Sequence, residues 1–157
     1  MIPKFIDNTE KQLVLFDMDG VLAEYIAGEE ENIINEVPNT YLGKRPLKPI
    51  LNVAEELYKM PNITVGILSS CDYPSQVIEK KKWLNEYLPF IKEENIHIVV
   101  WQKENYSIDT RCVAKLEVIK KINGYDKIFL IEDTHNNIFA TNKEIPGCAH
   151  HLSELLD

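Results

Sequence analysis

Four short apolar runs punctuate the chain, at residues 13–16, 63–68, 96–101 and 128–131. Each is continuous rather than alternating, the pattern of strands buried on both faces of a parallel sheet. Helical periodicity fills the intervals. Over 49–59, Ile50, Val53, Ala54 and Leu57 fall on one stripe, with Pro49 in the first turn. Over 74–88, Val77, Lys81, Leu84 and Leu88 align before Pro89 ends the helix. Over 110–122, Val113, Leu116, Ile119 and Lys120 align before Asn123-Gly124, a C-terminal stop. Strand and helix in alternation predict an α/β fold, a Rossmann-like open parallel sheet flanked by helices and joined by right-handed crossovers. Residues 23–48 break the alternation. They are acidic at Glu29, Glu30 and Glu31 and then carry Pro38, Gly43 and Pro46. This stretch predicts a small cap or flap inserted in a single domain over 1–157, with the acidic triplet facing water. Residues 150–157 read as a last helical turn packing Leu152, Leu155 and Leu156.

Composition narrows the function classes. A length of 157 residues suits one domain with a full core. The formal charge of -8 opposes an extended nucleic-acid-binding surface, which needs clustered Lys and Arg, but leaves room for a local basic pocket holding one phosphate. No stretch approaches the roughly 20 apolar residues needed to span a bilayer, so no membrane partner is expected. Cys71, Cys112 and Cys148 lie far apart with no CxxC pair, and the N-terminus lacks the apolar segment of a signal peptide. Reduced thiols and a cytoplasmic location are the expectation.

The candidate chemistry gathers where apolar runs end. The first stops on Asp17, Met18, Asp19 and Gly20. Residues i and i+2 of a strand share a face, so Asp17 and Asp19 are expected to converge on one ligand. Two such carboxylates call for a positive charge, and Mg²⁺ held by one or two carboxylates plus phosphate oxygens supplies it. A calcium loop of the EF-hand kind is excluded, because counting from Asp17 puts Val21, Leu22 and Gly28 at positions 5, 6 and 12. The second run ends on Ser69-Ser70 and the fourth on Glu132-Asp133. Open α/β sheets bind ligands beyond the carboxyl ends of their strands, so three endings of this kind predict one site.

These residues resemble the motifs of the haloacid dehalogenase-like (HAD) superfamily: an Asp-x-Asp-Gly loop, a Ser or Thr after a second strand, a Lys, and a late acidic pair. Within it, 61–70 and the Glu79-Lys-Lys-Lys-Trp-Leu84 stretch are similar to the 5'(3')-deoxyribonucleotidase group, although residues 21–62 form a shorter insert than that group carries. The resemblance implies a Mg²⁺-dependent phosphatase acting on phosphate monoesters, with a nucleoside monophosphate as substrate. Phosphatase action on larger substrates such as nucleic-acid 3'-phosphate ends is the alternative, and a non-catalytic binding module the rival from another class.

On that resemblance Asp17 is the nucleophile and Asp19 the general acid and base. Mg²⁺ sits among Asp17, Asp19 (through its backbone carbonyl), Asp133 and Glu132. Ser69 and Ser70 hold phosphoryl oxygens. The phosphate-binding lysine is either Lys115 or Lys103. Asn137 stands where some relatives carry a further acidic group. Lys80-Lys81-Lys82 reads as a solvated helix face, His135 needs no catalytic role, and His150-His151 reads as a surface pair.

Overall fold

The core of the molecule is a parallel sheet of β1 (Gln12–Phe16), β2 (Ile63–Cys71), β3 (Ile96–Val100), β4 (Lys127–Glu132) and β5 (Ala149–His151), in the order β3-β2-β1-β4-β5. The computed structural model describes residues 2–100 and 108–156. The helices are α1 (Glu30–Ile34), α2 (Lys48–Tyr58), α3 (Pro74–Tyr87), α4 (Ile108–Lys121) and α5 (His135–Glu144). The α/β architecture is the expected one. Its five strands include one more than the apolar runs announce, because β5 is only three residues long and two of them are histidines.

All five residues of β1 are buried, as its central position requires. Strand alternation sends its side chains to two separate cores. Val14 and Phe16 pack with Val53, Leu57, Trp83 and Leu84 on the α2/α3 face, whereas Leu13 and Leu15 pack with Ile119 and Cys148 on the α4/α5 face. The same parity governs β2 and β4, with Ile67 and Ile131 on the first face and Leu68 and Leu130 on the second. It carries on past the strand ends, and so decides which helix each polar residue meets.

Helix α2 buries Ile50, Val53, Ala54 and Leu57, the expected stripe. Helices α3 and α4 are rotated from the expected phase. In α3 the buried residues are Gln76, Lys80, Trp83 and Leu84, because the large indole of Trp83 takes the core-facing position. In α4 Cys112, Lys115, Leu116 and Ile119 are buried while Val113 is exposed. Residues 23–48 hold the single turn-and-a-half of α1 and two isolated bridges, Asp19 to Ala23 and Ala23 to Pro46. Leu47 N–H donates to Leu22 O and Glu24 N–H to Arg45 O, which brings the stretch back beside its start. His150 is half-buried, stacked on Phe5, rather than free at the surface. Among the described residues no helix is long and apolar enough to cross a membrane.

Gly66 faces Leu15 across the β1–β2 pair. A Cβ there would lie 2.7 Å from Asn95 O and 3.0 Å from Leu15 Cδ2. Overpacking against backbone is costly, so Gly66→Ala should lose about 1–3 kcal/mol of stability. The check is the urea midpoint at unchanged m-value.

Candidate active site

Register places the acidic residues. Phe16 pairs with Ile67 on one side and Ile131 on the other. One residue further along, Asp17 and Glu132 stand side by side, and Asp17 N–H donates to Ile131 O at 3.0 Å. Both share the parity of Leu15 and Leu130 and therefore face α4, where Lys115 lies on the buried stripe. Lys115 Nζ is 3.1 Å from Asp17 Oδ2 and 2.6 Å from Glu132 Oε1. Asp17 Oδ1 accepts the Met18 N–H at 2.8 Å, and Asn137 Nδ2 donates to Glu132 Oε1 at 3.2 Å. The rival lysine, Lys103, lies outside the described residues.

Ser69 and Ser70 part company for the same reason. Ser69 has the parity of Ile67 and turns to α3, where it is fully buried and its Oγ accepts from Lys80 Nζ at 2.9 Å. Ser70 turns the other way and lines the cleft above Asp17. The Lys80 side chain is 0% exposed, so this lysine is no part of a solvated face. It also donates to Ser70 O at 2.8 Å and to Asp19 Oδ2 at 2.7 Å.

Asp19 lines the same cleft as Asp17, but its carboxylate is held by a separate pair of lysines. Its second oxygen accepts from Lys44 Nζ at 2.6 Å, and Lys44 in turn binds Glu29 Oε1 at 2.8 Å. Lys44 comes from the returning limb of 23–48 and is anchored by Trp83, whose indole N–H donates to its carbonyl at 2.9 Å. The Tyr41 ring lies 4.4 Å from Lys80 Nζ and 5.1 Å from Lys44 Nζ, a cation–π roof over both ammonium groups. Glu29 is thus buried in an ion pair and not, as expected, in water; Glu30 and Glu31 are exposed. Sequence reasoning gives none of Glu29, Tyr41, Lys44 or Lys80 a place in the site: it reads Glu29 and Lys80 as solvated and passes over Tyr41 and Lys44. The one available signal was the Gln76–Lys80–Trp83–Leu84 stripe, which places Lys80 on the face of a tryptophan.

Electrostatics follow from these contacts. Burial opposes the Asp19 charge, but Lys80 and Lys44 outweigh it and hold the carboxyl down at about 2. Burial likewise opposes the Lys115 charge, and Asp17 with Glu132 overcomes it and holds that ammonium above its ordinary range. Glu132 is raised, first by burial and then by the nearby Asp17 charge, and Asp133 is raised for the same two reasons.

Asp17, Glu132 and Asp133 each bring a carboxylate oxygen within 4.8 Å of the others, and Glu132 Oε2 is buried with no hydrogen-bond partner among the described residues. A hard cation suits this oxygen set. Gly20 leaves the space: with φ +77°, a Cβ there would lie 2.1 Å from Asp133 Oδ2. Asp133 and Asp17 open on a cleft of about 220 Å³, whose far wall includes Tyr25, Ile33, Ile34 and Asp72. His135 stacks against His151 and lines no part of it.

The chain superposes on chains of the Pnkp1/Rnl/Hen1 RNA repair complex with TM-scores of 0.68, at 15–16% identity. The match covers 95% of this chain and 44% of the repair-complex chain in one case, and 92% and 47% in the other. The chain therefore spans less than half the length of those proteins. It also superposes on the HAD domain of the effector protein Lem4 from Legionella pneumophila, with TM-score 0.53 and 14% identity over 90% of this chain and 84% of that one. The fold is the HAD fold. No family model matches the chain. No curated protein matches it either. None of the structures named here is a deoxyribonucleotidase, so the likeness reaches the HAD fold and stops there.

Two predictions follow from the buried charges. Replacing Lys80 by Met leaves Asp19 and Ser69 facing an apolar chain, and breaking a buried pair in this way costs about 3–5 kcal/mol, readable in the urea midpoint. The second concerns pH. Glu132 and Asp133 bind protons more readily folded than unfolded, so without a metal, stability rises as pH falls from neutral towards the ordinary carboxylate range. Asp19 acts in the opposite sense. Its contribution is complete above the ordinary value of 3.8 and is lost as pH falls towards about 2. Thermal melts between pH 8 and pH 3 should therefore peak in the acid range without magnesium, and saturating Mg²⁺ should raise the neutral-pH limb preferentially.

Proposed function

We propose that this protein is a Mg²⁺-dependent phosphatase that hydrolyses phosphate monoesters through an aspartyl-phosphate on Asp17. The observation that carries the reading is the Asp17 carboxylate set at the carboxyl end of the central strand, beside Glu132 and Asp133, with buried Lys115 at 3.1 Å. Such monoesters are among the slowest esters to hydrolyse unaided, and a nucleophile with fixed compensating charge meets that need.

Asp17 would attack phosphorus as the bond to the substrate oxygen breaks, and the leaving oxygen would take a proton from Asp19. Water would then attack the same phosphorus, freeing Asp17 and returning a proton to Asp19. In the resting arrangement Asp19 accepts from both Lys44 and Lys80, so one of these contacts would have to loosen before it carries the proton. Lys115 would fix the Asp17 rotamer and offset charge on the phosphoryl oxygens, and Ser70, on the cleft wall, would offer them a hydroxyl. Ser69, bonded to Lys80, would support this arrangement from behind rather than touch phosphate. Asp17, Asp133 and Glu132 would hold the ion, with the Asp19 carbonyl as a further ligand. The chemistry magnesium supplies when bound is charge neutralisation between nucleophile and phosphate.

For the substrate, a nucleoside monophosphate is the first reading. The cleft of about 220 Å³ is of a size for phosphate and a small organic group. A second reading, a phosphorylated nucleic-acid end, draws on the likeness to chains of an RNA repair complex. The acidic balance of the chain weighs against it.

The test is phosphate release with Mg²⁺ across deoxy- and ribonucleoside 5'- and 3'-monophosphates, sugar phosphates and a 3'-phosphorylated oligonucleotide. Asp17→Asn should lower kcat by about 10³-fold or more on every substrate that is turned over, while keeping the fold. Chelator should abolish turnover. Preference for the oligonucleotide would select the second reading, and silence on all esters would defeat the proposal.

A further inference from the structure

The part of the cleft beyond Ser70 contains a carboxylate that the phosphatase chemistry does not use. Asp72 follows the last residue of β2 and is 8% exposed. Its Oδ2 is buried and has no hydrogen-bond partner among the described residues. Its Oδ1 stands 3.9 Å from Arg111 Nη2, beyond hydrogen-bond reach. Glu29 and Glu132 also keep one oxygen unpartnered, but in each the other oxygen holds a buried lysine. A buried acceptor left in this state is costly unless something donates to it.

Its position is fixed rather than incidental. The Asp72 N–H donates to Gln76 Oε1 at 2.9 Å, and Gln76, itself buried, donates from Nε2 to Ile33 O at 2.8 Å. Tyr73 Oη donates to Ile34 O at 2.8 Å. The loop that carries Asp72 is thus tied to α1, and Ile33 and Ile34 stand with Asp72 in the cleft wall. Asp17 and Lys115 line the same cleft, so a phosphate seated there must direct its organic group along this wall.

Charge selects the kind of group. Among the described residues, six carboxylates line the cleft, against two cations, Lys115 and Arg111. With Lys115 committed to the nucleophile and Arg111 already paired with Asp72 at 3.9 Å, a second phosphate there would meet repulsion. An uncharged group bearing a hydroxyl or amino donor would instead satisfy the acceptor, while the two isoleucines cover its apolar face.

We propose that Asp72 is the specificity residue of the cleft, accepting a hydrogen bond from a hydroxyl or amino donor on the uncharged organic part of a phosphate monoester. The inference rests on the phosphatase reading and narrows it to monophosphates of polyols or nucleosides. A site built to pair a donor rejects the analogue that lacks it.

The experiment measures kcat/KM with Mg²⁺ for ribose 5-phosphate, CMP, UMP and butyl phosphate, using wild type, Asp72→Asn and Asp72→Ala. Wild type should favour a donor-bearing ester over butyl phosphate by about tenfold or more, and Asp72→Ala should collapse that ratio towards one. A preference for CMP over UMP that vanishes in the variant identifies a base amino group as the donor. A ribose 5-phosphate preference that vanishes identifies a sugar hydroxyl. Asp72→Asn, which keeps size and one acceptor oxygen, should retain part of the ratio and guards against a variant that fails to fold. Equal losses on all esters, or a ratio unchanged in both variants, would overturn the inference with the phosphatase intact. Wild type inactive on every ester would overturn the phosphatase reading and this one with it.

Discussion

Carboxylates gathered at one edge of a sheet repel one another, and in this fold buried lysines offset that repulsion. Lys115 bridges Asp17 and Glu132, and Lys44 and Lys80 grip the two oxygens of Asp19. An isolated ammonium cannot be buried at tolerable cost, and neither can an isolated carboxylate. Each makes the other possible only when the backbone delivers both to the same place. The sheet register does this for the acids, and the buried stripes of α3 and α4 do it for two of the three lysines.

The third lysine gives residues 23–48 their structural meaning. Lys44 stands where the stretch turns back towards the sheet, and its two salt bridges run to Asp19 and to Glu29 at the far end of the same stretch. Asp19 thereby becomes a junction between the loop after β1, the excursion and α3. Ser69, behind Lys80, joins β2 to this junction. The conformation of Asp19 is determined by residues distant in sequence, and its role cannot be read from the Asp-x-Asp-Gly pattern alone.

Much of this was legible in the chain. Continuous apolar runs identified four of five strands, and their polar endings identified the edge where Asp17, Glu132 and Asp133 gather. The stripe of α2 was correct residue for residue. Lys115 was one of two candidates for the phosphate-binding lysine, and it meets Asp17. What escaped was phase and pairing. A three-lysine run looks solvated, and only the volume of Trp83 shows that Lys80 faces inward. A one-residue change of parity separates the roles of Ser69 and Ser70, and no local pattern reveals which face of the sheet each takes. Glu29 and Lys44 pair across a stretch with almost no regular structure, so periodicity has nothing to say about them. β5 is too short and too polar for an apolar-run criterion.

The attachment of α1 has a consequence for how this fold changes over time. Gln76 and Tyr73 hold α1 by its main-chain oxygens, those of Ile33 and Ile34, and ask nothing of the side chains there. Position and chemistry are thereby uncoupled along that wall. Side chains at 33 and 34 can be exchanged by mutation without releasing the helix from α3 or disturbing the lysine-bound aspartate below it. A lineage carrying this arrangement can vary the side chains of that wall one residue at a time while these two main-chain attachments remain.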